Sequence, residues 1–207
     1  MNSTETGDYS DDIVARVVDA RASGHSLYIR AGDSKRDLVG RRCDAQCLDV
    51  SAHQGIIDYQ SAELVITARA ATPLPDIVQV LQEQGQVLPF DPPRFGGAAT
   101  LGGTLACNLS GPARPWSGSV RDAVLGVQLV NGKGEKLNFG GKVMKNVAGY
   151  DVSRLQAGAM GTLGVLTEIS LKVLPRHEHN LTLAYDMNPA EAVQTMNKRA
   201  GETRPLS

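Results

Sequence analysis

The sequence predicts a fold of the α+β class. Three observations carry the prediction: the first 90 residues read as helix, strands and helix; a glycine-rich middle still holds three strand-like runs; the last segment reads as a strand and a polar helix. Ser10 to Ala22 reads as an amphipathic helix. Ser10 is its expected N-cap, Asp11 and Asp12 suit the positive end of the dipole, and Ile13, Val14, Val17 and Val18 form an apolar stripe. Gly24 stops it. Strands are expected at Leu27–Arg30, Leu48–Val50, Ile56–Tyr59 and Leu64–Arg69. Thr72-Pro73 opens a second helix, with the proline at its first position, Leu74, Ile77, Val78 and Leu81 as its apolar face and Gly85 as its stop.

Sixteen of the 22 glycines lie between Gly85 and Gly164. Glycine weakens regular elements and serves where backbone turns tightly or meets a ligand. Strands still fit Ala123–Val130, Lys136–Phe139 and Leu163–Leu174, with Asn131-Gly132 as a hairpin signal between the first two. Leu101, Leu105 and Leu109 recur at every fourth residue, which predicts a short helix from about Thr100; Asp151–Gln156 predicts another. Asn180–Tyr185 reads as a strand, and Asn188 caps a helix from Pro189 to about Arg199.

A chain of 207 residues with 42% apolar and 21% charged residues has ample material for a hydrophobic core. The formal net charge is -1, against the basic excess of a nucleic-acid binder, and aromatics are only 4%, too few for stacking platforms. The odd set Cys43, Cys47 and Cys107 argues against a secreted disulfide framework. The polar, acidic N-terminus does not read as a signal peptide. The longest uncharged run, Phe95 to Ala113, is broken by glycines, Asn108 and Pro112, unlike a membrane span. The expected compartment is the cytoplasm.

Several motifs are missing. No P-loop occurs, and no G-x-G-x-x-G follows the first strand. Gly158, Gly161 and Gly164 precede a strand instead of opening a helix. No G-x-S-x-G elbow is present. Cys43 and Cys47 lack a second pair, so no metal site is expected, and His25, His53, His177 and His179 have no evident partner chemistry.

Three segments point to a ligand. Leu27–Lys35, LYIRAGDSK, runs from a strand into a glycine loop whose backbone N–H groups can form a phosphate nest, with Lys35 adding charge. Taken alone it also reads as an ordinary strand-to-turn junction. Phe95–Gly111, FGGAATLGGTLACNLSG, places glycine pairs around the start of a helix, whose unpaired N–H groups suit a pyrophosphate. Gly102 and Gly103 at a helix start imply close approach, to a ligand or to a packed strand. Asn146–Ile169 leads a short helix through a glycine-rich loop into a strand, offering backbone groups to a ring system.

The order and spacing of these segments resemble the PCMH-type FAD-binding domain of the vanillyl-alcohol oxidase superfamily. PWSGSVRDAVLG at Pro115–Gly126 and KNVAGYD at Lys145–Asp151 are similar to the FAD-binding subunits of bacterial glycolate oxidases. The resemblance implies two lobes holding an extended FAD over residues 8–178. It also implies that residues 179–207 begin a substrate or cap domain, α/β and incomplete, so that the chain reads as truncated there. By the same resemblance Gly32, Asp33, Ser34 and Lys35 face the diphosphate. Thr100, Leu101, Gly102 and Gly103 close on the pyrophosphate and ribityl chain. Asn108, Ser110, Gly111, Ser117 and Gly118 pass the flavin ring. Gly161, Gly164 and Val165 lie beside the ribityl and adenine parts.

Covalent relatives often carry histidine in the first loop. Asp33 and Ser34 stand in that region here, so non-covalent FAD is expected. Asp33 beside a diphosphate is repulsive, and its carboxylate is expected to accept N–H bonds within its own turn. Lys145 is a candidate for charge stabilisation at the flavin, or an ordinary surface lysine. No general base is nameable. The resemblance implies a subunit that oxidises a 2-hydroxy acid, glycolate to glyoxylate, in a complex with a second FAD-containing subunit and an iron–sulfur subunit. The chain itself has no iron–sulfur cysteine set. Peripheral attachment to the inner membrane through partners is left open. Two other readings stay open: a self-sufficient FAD-dependent D-lactate or 2-hydroxy-acid dehydrogenase, and a non-catalytic scaffold with this fold.

Overall fold

The computed structural model describes residues 7–38, 44–97, 99–141 and 149–202. Cys43, Lys145 and Asn146 lie outside the described residues. In chain order the elements are α1 (Ser10–Ala22), β1 (Leu27–Arg30), β2 (Gln46–Asp49), β3 (Ile56–Gln60), β4 (Val65–Arg69), α2 (Leu74–Glu83) and β5 (Gln86–Val87). There follow α3 (Leu101–Cys107), α4 (Arg114–Ser117), α5 (Val120–Ala123), β6 (Val124–Val130), β7 (Lys136–Gly140), α6 (Val152–Leu155), β8 (Val165–Lys172), β9 (Leu174–Pro175) and α7 (Pro189–Ala200).

Two apolar cores define two lobes. In the smaller, Ile13 and Val17 of α1 pack on Leu48 and Val50 beside the parallel β1–β2 pair. Val130 and Val165 of the larger sheet reach into the same cluster, joining the lobes. The larger lobe is an antiparallel sheet in the order β3-β4-β8-β6-β7. Val165, Thr167, Ile169 and Leu171 of β8 are buried at period two, as a central strand requires. Ile77 and Leu81 of α2, Leu101 and Leu105 of α3, and Val120 of α5 cover it.

Local chemistry explains most boundaries and corrects several. The α1 stripe buries Ile13 and Val17, while Val18 stays exposed. Its N-cap is Tyr9, not Ser10, and the capping carboxylate is two residues upstream: Asp8 Oδ1 accepts the Ser10 N–H at 2.9 Å and the Ser10 hydroxyl. At the other end Gly24 adopts φ +68°, and His25 N donates to Ala20 O at 2.8 Å, closing the helix. Pro73 is the N-cap of α2, so the proline inside its first turn is Pro75. The β6–β7 turn forms, but its left-handed glycine is Gly134 and not Gly132. Asn131 organises that turn, its Oδ1 accepting the Lys133 and Glu135 N–H groups.

The expected strand at Asn180–Tyr185 is not a strand. Leu181, Leu183 and Tyr185 are exposed, and among the described residues no neighbouring strand supplies the ladder that such a run needs. The helix after it forms as expected, with Asn188 and Glu191 making a capping box. No helix among the described residues is long and apolar enough to cross a membrane.

Candidate functional site

β1 delivers the chain into the first candidate loop. Its exit is fixed to β2 by the Arg30–Asp49 ion pair at 2.6 Å. The Ser51 hydroxyl, with the Arg30 guanidinium after it, holds the Asp49 carboxyl far below the usual carboxylate range. In the loop Asp33 takes φ +55°. Contrary to the expectation from sequence, its side chain accepts no N–H group of its own turn among the described residues. It accepts the Tyr28 hydroxyl and faces Arg36 Nη1 at 3.7 Å. Burial, then Asp33, pushes the Tyr28 pKa up to about 12.

Lys35 is only 6% exposed. Its Nζ donates to Ser34 Oγ at 3.4 Å, and among the described residues no carboxylate pairs with it. Burial pushes its pKa down, while the nearby Cys107 thiol opposes that shift. Burial raises the Cys107 pKa in turn, with Lys35 pulling the other way. The ammonium is therefore within electrostatic reach of Cys107, the last residue of α3. A buried, unpaired cation is costly and calls for an anion.

The start of α3 behaves otherwise. Thr100 is its N-cap, accepting Gly103 N–H at 3.2 Å. Leu101 N–H donates to Thr72 O at 3.0 Å and Gly102 N–H to Ala70 O at 2.7 Å. The expectation of unpaired N–H groups there is not met, because the first turn is hydrogen-bonded into the strand-to-helix connection ahead of α2. Gly102 answers to a packed strand: a Cβ on it would stand 2.9 Å from both the Ala70 methyl and the Ala70 oxygen.

The far end of α3 holds the unsatisfied polar groups. Asn108 takes φ +52° as the C-cap, and its Oδ1 is buried without a partner among the described residues. Thr104, one turn earlier on the same face, has a buried Oγ1 in the same condition. Sequence reasoning missed Thr104, although its spacing of four from Asn108 was visible. The glycine-rich loop docks here: Gly158 N–H donates to Leu105 O at 3.1 Å and Met160 N–H to Ala106 O at 3.0 Å. Gly161, at φ +75°, lets this loop meet β1, where a Cβ would stand 2.9 Å from Ile29 Cδ1. Gly164 lies against Val130 O and Val165 pairs with Val130.

One cluster thus gathers Lys35 with its loop, Cys107, Asn108 and the loop holding Gly158 and Gly161. Thr100–Gly103 lie at the other end of α3, roughly 10 Å away for seven helical residues. Ser110, Gly111, Ser117 and Gly118 are used by the fold. Ser110 Oγ accepts Val120 N–H at 3.0 Å and donates to Asn108 O at 3.4 Å, while Gly111 packs on the Asp91 backbone. Gly118 N–H donates to Arg114 O at 3.0 Å, and Gly118 closes α4 at φ +88°.

The two-lobed α+β architecture and these glycine-built loops are those of a PCMH-type FAD-binding domain. The FAD binding domain family matches residues 8–140, and the chain belongs to it. The chain is 50% identical to the glycolate oxidase subunit GlcE of Escherichia coli, over 97% of this chain and 57% of that protein. It is 30% identical to the glycolate oxidase subunit GlcD of Bacillus subtilis, over 90% of this chain and 40% of that one. A D-lactate dehydrogenase of Anaerostipes hadrus is 34% identical over 62% of this chain and 26% of its own length. The chain spans little more than half the length of the first of these relatives and less of the others.

Proposed function

We propose that this chain is the FAD-binding part of a glycolate oxidase-like complex that converts a 2-hydroxy acid, glycolate, to its 2-oxo acid, glyoxylate. The observation that carries the reading is Lys35: a buried ammonium with one neutral partner among the described residues, in the loop that the family resemblance assigns to the diphosphate. The residues present fit the cofactor. Lys35 and the Ser34 hydroxyl meet the diphosphate. The unpartnered Asn108 Oδ1 and Thr104 Oγ1 take donors from the polyol or ring. The glycines at 158, 161 and 164 let backbone approach it. Gly102 and Gly103 serve by shape, since their N–H groups are engaged.

When bound, FAD supplies the two-electron acceptor that the protein lacks. The chain's residues orient it and compensate its charge. The domain is proposed to run over residues 8–178, because β8 and β9 complete the sheets. Residues 179–207 belong to a following domain, in keeping with the exposure of Leu181, Leu183 and α7. Electrons leave through a second FAD-containing subunit and an iron–sulfur subunit. The complex works in the cytoplasm, with any membrane attachment made by those partners.

The test is the visible spectrum of the purified chain before and after acid precipitation. A flavin spectrum that passes to the supernatant supports non-covalent FAD. A pellet that stays yellow contradicts it, and a colourless chain that takes up no added FAD contradicts the site. Bleaching of that spectrum by glycolate, in the assembled complex and without air, tests the substrate.

A further inference from the structure

We propose that Asp33 is a positioning residue for Lys35, acting through a closed triangle with Tyr28 and Arg36; this deepens the FAD reading above and rests on it. On charge alone, a carboxylate in a phosphate-binding loop weakens the site. The geometry gives that charge another use. Asp33 Oδ1 accepts the Tyr28 hydroxyl from β1, and its Oδ2 faces Arg36 Nη1 at 3.7 Å. The Arg36 guanidinium in turn lies 5.2 Å from the centre of the Tyr28 ring. Each of the three side chains touches the other two.

The triangle pins both ends of the four-residue turn that contains Lys35. Arg36 N–H also donates to Asp33 O at 3.3 Å, so backbone and side chains close the same turn. Asp33 itself is left-handed at φ +55°, a conformation that Asp tolerates better than most residues. With residues 33 and 36 fixed on the outer side, Lys35 turns inward to its buried position beside the Ser34 hydroxyl. Arg36, the next cation along, is held away from the anion. The Asp33–Arg36 pair is half exposed and worth little by Coulomb attraction alone. Its effect is preorganisation: the loop need not be ordered when the ligand arrives.

Two explanations of Asp33 predict opposite signs. If its charge only repels phosphate, Asp33→Asn tightens FAD binding. If it positions the loop, Asp33→Asn weakens binding, and so does Tyr28→Phe, which keeps the ring and removes only the hydroxyl. The experiment titrates FAD into the full chain and into Asp33→Asn, Tyr28→Phe and the double variant, with melting of each unliganded chain. The expected result is a loss of roughly tenfold in affinity for each single variant, the scale of one charge-assisted hydrogen bond. The double variant is expected to be no worse than the weaker single one. Unliganded melting temperatures are expected to stay within about 2 °C of the parent. Tighter or unchanged binding by Asp33→Asn overturns the inference alone, as does an affinity loss that follows a fall in unliganded melting temperature. A parent chain that takes up no FAD overturns the FAD reading first.

Discussion

Gly102 donates its N–H to the Ala70 carbonyl at 2.7 Å, and its Cα hydrogen occupies the space against the Ala70 methyl. This contact ties the start of α3 to the end of β4. Gly102→Ala is therefore expected to destabilise the unliganded chain by about 1–3 kcal/mol through overpacking. Gly103 is its control, since a Cβ there meets only Thr100 Oγ1, at 3.2 Å. Gly103→Ala is expected to stay within about 1 kcal/mol of the parent, helped by helix propensity. Urea denaturation of both variants checks the contrast.

The β6–β7 turn gives a second contrast between neighbouring glycines. Gly134 adopts φ +82° and a Cβ on it collides with Val18 Cγ2, whereas Gly132 has open space. Gly134→Ala is expected to cost about 1–3 kcal/mol, and Gly132→Ala less than about 0.5 kcal/mol. Melting temperatures that fall equally for the two would contradict this assignment of the turn.

His53 makes folding pH-dependent. It is buried with Nδ1 accepting the Tyr9 N–H at 3.1 Å, while Nε2–H donates to the Thr167 carbonyl at 3.1 Å. This neutral tautomer ties α1 to β8. Burial holds its pKa below the ordinary 6.5, against the opposing pulls of the Thr167 carbonyl and Asp8. A depressed histidine pKa means that the unfolded chain binds the proton more readily. The stabilisation is full above about pH 6.5 and is lost as pH falls toward the folded-state value. Stability measured from pH 8 down to pH 5 is expected to decline, and His53→Gln is expected to flatten that part of the profile.

Much of this was legible in the sequence, because local rules set it. Gly24 and Gly85 end helices at positive φ, the period-two pattern of β8 marks a central strand, and Asn188 with Glu191 caps α7. The glycine-rich segments were also legible as places of close backbone approach, as at Gly102, Gly111 and Gly161. What escaped depended on partners distant in sequence. Nothing local shows that Thr72 and Ala70 will engage the N–H groups of Leu101 and Gly102. Nor does it show that Tyr28 and Arg36 will engage Asp33. Asn180–Tyr185 has a strand's alternation, but pairing needs a neighbour that the described residues do not supply. Ser10 has the right chemistry for a cap, yet Asp8 sits where the carboxylate reaches the helix.

Lys35 is proposed to be held buried for the phosphates of FAD, and one paired measurement tests that role. FAD is titrated into the parent chain and into Lys35→Met, and the unliganded forms are melted beside them. Lys35→Met is expected to lose about tenfold or more in FAD affinity. The unliganded variant is expected to be as stable as the parent or more so, because a buried charge without an ion-pair partner has been replaced by an apolar chain of similar length. Equal FAD affinity in the two chains would contradict that role for Lys35, and so would an affinity loss that merely follows a loss of unliganded stability.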